Sequence, residues 1–495
     1  MVKKVLSKVM KTAAFLMMGI IIFVFLSQIL CGKWLTANKE TYTTQGLYAL
    51  EDNSIDVFVL GTSHVVTGIS PMVMYEEYGI SAYTLGMGHA PMSASYCWLK
   101  ECEKTQDLST VVIDVSILYK PIKELYFRRA FDPMKLSWNK IKAVYEHSRQ
   151  EGADSFASYV FPIITWHSRW KELSAEDFGL KKNDTFVYRG NVMKSKVDPE
   201  VDYNKLVIDH DENTELEMRE EQLVYFDKIV SYCEEHDINL VLIKTPKESW
   251  TLAESRGVDA LAKKYGLPFL DFNYENMIKE VGIDAATDLR DPEHMNLKGA
   301  DKLSLYLGKY LKENYELKDY REENYHPVDM EQYHRDRDDV YLQLSQDVKE
   351  YLKRLNNDRY SIIIQLTDDI SEYWTEDLQK ILEKLGLKTD IGSLSGKNYV
   401  GILEQGTCIY EDSSEKPISY EGEWAEDCSY VLEGDINKGK SETRMLVNGH
   451  EEKFNVKGMN ILVYDIEKRR IINEAAIYKQ TKEEKLKIKQ VYAFN

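Results

Sequence analysis

The sequence predicts an α/β fold on a parallel sheet, with a membrane-spanning helix before it and a β-rich α+β unit after it. Between residues 54 and 312, short β-branched runs alternate with helical patterns. These runs are apolar through both faces, as strands covered by helices on both sides must be. An uncharged run, Thr12–Gly32, precedes them, and from Tyr360 onward strand-like runs and turn signals dominate.

Lys3, Lys4, Lys8 and Lys11 stand before the uncharged run. At 1.5 Å per residue, ~20 apolar residues cross the ~30 Å hydrocarbon layer. The run exceeds the ~7–15 apolar residues of a cleavable signal, and no small-residue cleavage site follows it. The flanking lysines favour a cytoplasmic N-terminus. Residues 1–33 are therefore expected to be a single-pass signal anchor in the cell membrane, with the bulk of the chain extracellular.

The expected strands are Ile55–Gly61, Ser81–Gly86, Ser109–Ser116, Asn239–Thr245 and Pro268–Phe272, with helices such as Pro71–Tyr78 and Glu221–His236 between them. An open parallel sheet binds its ligand beyond the carboxyl ends of its strands. Residues 117–220 form an insertion too long for a simple crossover, read as a helical cap or sidewall. Its stretch Ser158–Trp170 is aromatic, and Arg169 and Trp170 are candidates for a sugar-binding cleft. Packing of the insertion onto the sheet explains the same aromatics equally well. Residues 313–357 read as a charged, tyrosine-rich linker followed by a helix from Asp329 towards Leu355. Residues 358–495 form the β-rich unit. It opens with the strand Tyr360–Leu366 and an apolar helix face of Trp374, Leu378, Ile381, Leu382 and Leu385. Turn signals follow at Asn448-Gly449 and Lys457-Gly458.

The net charge of −19 over 495 residues argues against nucleic acid as a partner, because phosphate needs a basic surface. None of the six cysteines forms a CxxC pair or a zinc-finger spacing, and histidines and carboxylates do not cluster. No cofactor and no metal are expected. Cys408 and Cys428 are the pair that an oxidising compartment could join, although the chain has no disulfide-scaffold pattern.

Gly61-Thr62-Ser63-His64 ends the first strand, where a serine exposes its hydroxyl and its own amide can help hold an oxyanion. Far along the chain, Asp291-Pro292-Glu293-His294 precedes another helix. With this spacing Asp291 can reach one imidazole nitrogen while the other faces Ser63. Asp291 then sets the tautomer and His294 takes the hydroxyl proton. The same residues have structural uses: Ser63 and Thr62 suit a helix cap, and Asp291 with Pro292 suits a helix start. Asp288 is the alternative third member.

These motifs resemble the SGNH, or GDSL, hydrolases, and residues 54–312 resemble the SGNH-like ectoproteins of Firmicutes. The resemblance rests on Gly61-Thr62-Ser63-His64, Tyr83-Thr84-Leu85-Gly86 and the Asp291, His294, Asn296, Gly299, Ala300 pattern. The runs Ile243–Pro246 and His167–Trp170 add to it. It implies a flavodoxin-like α/β/α domain that acts in O-acylation or deacylation of extracellular polysaccharide, often beside a membrane-bound O-acyltransferase. The D-alanyl transfer protein of teichoic acid synthesis is a more distant relative in architecture. Ser63, Asp291 and His294 become the catalytic candidates, and Gly86 matches the glycine that offers a second oxyanion amide. The family's oxyanion asparagine is expected after the third strand, where this chain reads Asp114-Val115-Ser116. The third donor is therefore either missing or supplied by His64, His89 or Lys244, and Lys244 is also a candidate substrate ligand.

The C-terminal unit resembles the interleukin-like EMT inducer (PANDER-like) domain through Asn398–Gly401, Val447–Gly449 and Gly458–Asp465. This implies a compact β-rich sandwich suspected of carbohydrate binding. Two functional expectations follow: a serine esterase or O-acyl(acetyl)transferase working on an acylated glycan, or a non-catalytic glycan-binding scaffold that assists an acyltransferase. A Ser63–His294 pair too far apart to bond would favour the scaffold.

Overall fold

The computed structural model describes residues 2–32, 40–178, 186–208, 216–322, 325–425, 428–436, 444–447, 450–451, 457–480 and 482–492. Two compact units divide the chain: residues 1–193 with 198–330, and residues 194–197 with 331–495.

In the first unit, strands β1 (Val57–Gly61), β2 (Ala82–Gly86) and β3 (Thr110–Asp114) join Asn239–Lys244 and Phe269–Asp271 in one parallel sheet. The order is β2, β1, β3, Asn239–Lys244, Phe269–Asp271. Register aligns Gly61 with Gly86, Asp114 with Ile243 and Lys244 with Asp271, so every strand ends at the same edge. Side chains alternate between the faces, as the strand period requires. Phe58, Leu60, Val111, Ile113 and Leu242 meet Trp98, Phe226 and Ile229 on one side. Val57, Val59, Val112, Val241 and Ile243 meet Met74, Leu303 and Leu307 on the other. With helices Met92–Cys102 and Glu220–Glu235 on the first face, and Pro71–Tyr78 and Leu297–Asn314 on the second, this is a three-layer α/β/α unit.

Helix α1 (Val2–Ile29) contains a 21-residue window, Ser7–Ser27, long and apolar enough to cross a membrane. Beyond it, Ile29 and Leu30 are buried. The insertion supplies helices Glu124–Phe131, Trp138–His147, Phe156–Val160 and Ile163–Trp166. Tyr126 from the first of these stacks on His89 with ring centroids 4.5 Å apart, which sets the insertion beside the loop that follows β2.

Two expectations need correction. The stretch after residue 313 is not a free linker: the Tyr320 hydroxyl donates to Asp56 Oδ1 at 2.6 Å and the Lys318 amide donates to Oδ2 at 3.2 Å. Leu317 and Tyr320 are buried, so residues as far as 330 belong to the first unit. The helix expected to run to Leu355 is two helices, Met330–Leu344 and Val348–Arg354. Asp347 breaks it by accepting the Glu350 amide at 2.8 Å as an N-cap.

The second unit holds a six-stranded antiparallel sheet with Tyr360–Leu366 and Met459–Asp465 as central neighbours, and a four-stranded sheet starting with Ile418–Ala425. Trp374, Leu378, Ile381, Leu382 and Leu385 are buried with the central strands in one core. Asn448-Gly449 lies outside the described residues. No disulfide forms among the described residues.

Candidate active site

At the end of β1 the backbone has little room. A Cβ on Gly61 would meet Asp114 Cβ at 2.6 Å, so the close approach of β1 to β3 requires glycine. Thr62 then leaves the strand with extended backbone and caps helix Ser63–Gly68, which starts at Ser63. Gly86 lies against this turn, where a Cβ would meet the Thr62 carbonyl oxygen at 2.2 Å.

The histidine arrives from the far end of the unit. Leu289–Asp291 and His294–Met295 pair antiparallel across the Pro292-Glu293 turn. Asn296 caps the next helix and accepts the Lys298 and Gly299 amides at 3.0 and 3.2 Å. Asp291 therefore caps no helix. Its Oδ1 lies 2.9 Å from His294 Nδ1 and accepts the Glu293 amide at 2.9 Å, and Arg290 Nε donates to Oδ2 at 3.0 Å. Partial burial opposes ionisation of Asp291. The His294 hydrogen bond and charge, the Glu293 amide and Arg290 outweigh it and hold the carboxyl well below the usual carboxylate range.

His294 Nε2 lies 2.9 Å from Ser63 Oγ. The chain thus brings Ser63 to a His294–Asp291 pair more than two hundred positions away, in the serine–imidazole–carboxylate order that activates a hydroxyl nucleophile. Asp288 has no part in this arrangement. It is buried and paired with Lys302 at 2.6 Å.

No family model and no curated protein matches this sequence. Among solved structures, the chain is similar to a protein of Bacteroides fragilis assigned as an acylhydrolase, at 12% identity and a TM-score of 0.26, over 57% of this chain and 98% of that one.

The other expected site residues are placed differently. The position after β3, where an asparagine was expected, holds a closed network around buried Asp114. Thr62 Oγ1 and Ser116 Oγ each donate to Asp114 Oδ2 at 2.8 Å, and the Ser116 amide donates to Oδ1 at 3.0 Å. His64 Nδ1 faces these hydroxyls at 3.1 and 3.3 Å. With both hydroxyl protons given to Asp114, the proton between them and the ring sits on Nδ1, so Nε2 carries a lone pair. Burial pushes His64 down to about 4 against the pull of the Asp114 carboxylate. A neutral ring of this tautomer accepts at Nε2, so His64 is not an oxyanion donor. Its ring packs 5.1 Å from that of His294.

Lys244 is fully buried rather than open to substrate. It donates to the Thr245 carbonyl and lies 5.3 Å from the Trp250 ring. Burial, together with Lys247, pushes it down to about 8. His89 has a left-handed backbone (φ 53°), and partial cover of its ring, stacked on Tyr126, lowers its basicity together with nearby cations. Arg169 is committed elsewhere, to the Ile29 and Cys31 carbonyls and to Asp177. Trp170 is 64% exposed, with Lys171 over its ring.

Sequence reasoning missed Arg290 and Lys247, and it named Asp114 without its bonds to Thr62 and Ser116. Arg290 adjoins Asp291 in the chain and was the most accessible signal. Lys247, 3.6 Å from Glu293, follows the Ile243–Pro246 run. A cavity of about 330 Å³ adjoins the histidine turn through Glu293, with Lys205, Ile208, Glu248 and Trp250 also in its wall.

Proposed function

We propose that this chain is a membrane-anchored serine esterase or O-acyltransferase of the SGNH type, which acts on an acylated cell-surface polysaccharide through an acyl-serine intermediate. The observation that carries the reading is the continuous chain Ser63 Oγ–His294–Asp291, with both contacts at 2.9 Å. A scaffold has no need of that alignment.

In the proposed reaction, Ser63 Oγ attacks the ester carbonyl and its proton passes to His294 Nε2. The carbonyl oxygen becomes an oxyanion, held by the amides of Ser63 and Gly86. Collapse breaks the ester C–O bond, and His294 returns the proton to the leaving alkoxide. Asp291 stabilises the imidazolium without taking its proton. Water or a sugar hydroxyl then attacks acyl-Ser63, gives its proton to His294, and frees the serine. The cavity beside Glu293 offers room for a sugar acceptor. A neighbouring membrane-bound O-acyltransferase is the proposed partner, and α1 holds the protein at the outer membrane surface.

The test is p-nitrophenyl acetate turnover by the full chain in detergent, beside Ser63→Ala, with intact-mass measurement. Turnover lost in the variant, together with an acetyl adduct mapped to Ser63, supports the reading. Equal turnover by both proteins, or an adduct elsewhere, overturns it.

A further inference from the structure

We propose that the helical insertion is a second membrane-contacting element, with segment 155–168 embedded in the outer leaflet beside α1. The proposal rests on reading α1 as a membrane anchor. Phe23 of α1 and Phe161 of the insertion meet edge to face, with ring centroids 5.4 Å apart. Phe23 lies four residues inside the end of the apolar window at Ser27, which is ~6 Å along a helix. A 21-residue window matches the ~30 Å layer with little to spare. Phe161 therefore lies at the depth of the outer hydrocarbon margin whenever α1 spans.

The segment's chemistry suits that depth. Ser155–Ser168 contains no Asp, Glu, Lys or Arg, in a chain with 29% charged residues. Phe161 and Ile164 are 43% and 49% exposed, so both present apolar surface that lipid would cover. Backbone groups in lipid need internal partners, and this stretch supplies them through two short helices. The Phe161 and Trp166 amides donate to Ala157 and Pro162 at 2.9 Å. Trp170 and Lys171 follow at the end where headgroups would lie, the pairing favoured at an interface. Arg169 locks the arrangement by donating to the Ile29 and Cys31 carbonyls where α1 ends. Lipid is the occupant that this continuity with α1 favours.

The experiment places the full wild-type chain, with no partner, in phosphatidylcholine–phosphatidylglycerol vesicles containing a lipid with an acyl-chain diazirine. Labelled peptides are mapped by mass spectrometry after irradiation. Labelling of α1 and of 155–168, both at least ~5-fold above helix Leu297–Asn314, is the expected result. Labelling of α1 alone overturns the proposal and leaves the anchor intact. An unlabelled α1 overturns the anchor reading, and this proposal with it.

Discussion

Asp291 does two things at once: it accepts from His294 and is itself fixed by Arg290 and the Glu293 amide. Replacing it with Asn reverses the hydrogen-bonding character of one side and favours the wrong imidazole tautomer. Asp291→Asn is expected to lower ester turnover by ~10³–10⁴-fold with little change in thermal stability, read by p-nitrophenyl acetate kinetics beside a melting curve. His64 makes a different prediction. Its folded pKa of about 4 lies below its ordinary 6.5, so between these values the unfolded chain binds a proton that the folded chain refuses. Stability contributed by His64 is complete above pH 6.5 and falls as pH drops towards 4, by up to ~1.4 kcal/mol per unit. Urea unfolding from pH 7 to 4 should show this slope in the wild type, and a shallower one in His64→Gln. Equal slopes would remove the protonation argument.

The turn after β1 carries Ser63, and two glycines let three segments converge there. With Asp114 Cβ 2.6 Å from the position of a Gly61 Cβ, any side chain forces β1 and β3 apart. Gly61→Ala is expected to cost ~1–3 kcal/mol in urea unfolding and to displace Ser63, with turnover falling ~10-fold or more. The five strands were legible in the sequence because each is a short apolar run, and their ends shifted by only one or two residues. Less legible were elements governed by polar partners. Asp347 ends a helix that periodicity alone continues, and Asp56 draws Tyr320 and Lys318 out of an apparent linker.

The second unit is organised around buried charge as well as its sheets. Asp339, fully buried, meets Arg359 and Lys468 and accepts the Tyr360 hydroxyl at 2.7 Å. Replacing Asp339 leaves Arg359 with Asp465 and Lys468 with Asp336, but removes the buried carboxylate that the two cations and the Tyr360 hydroxyl share. Asp339→Asn is therefore expected to destabilise this unit by ~1–3 kcal/mol, seen by calorimetry, while ester turnover stays within ~2-fold. A matching loss of turnover would contradict this expectation.

Local chemistry in the sequence was enough to determine the α/β class, the apolar N-terminal helix, the strand-rich C-terminal part and the motifs bearing Ser63 and Asp291–His294. Each of these depends on residue type and short-range spacing, which a single chain displays openly. The tertiary structure decided the rest, because it depends on which distant groups meet. It brought His294 to Ser63 and turned His64 inward to Asp114. It buried Lys244, and it assigned Arg169 to the end of α1 instead of a sugar cleft. A polar side chain's role is set by the partner that satisfies it, and sequence spacing does not encode that partner when it lies a hundred residues away.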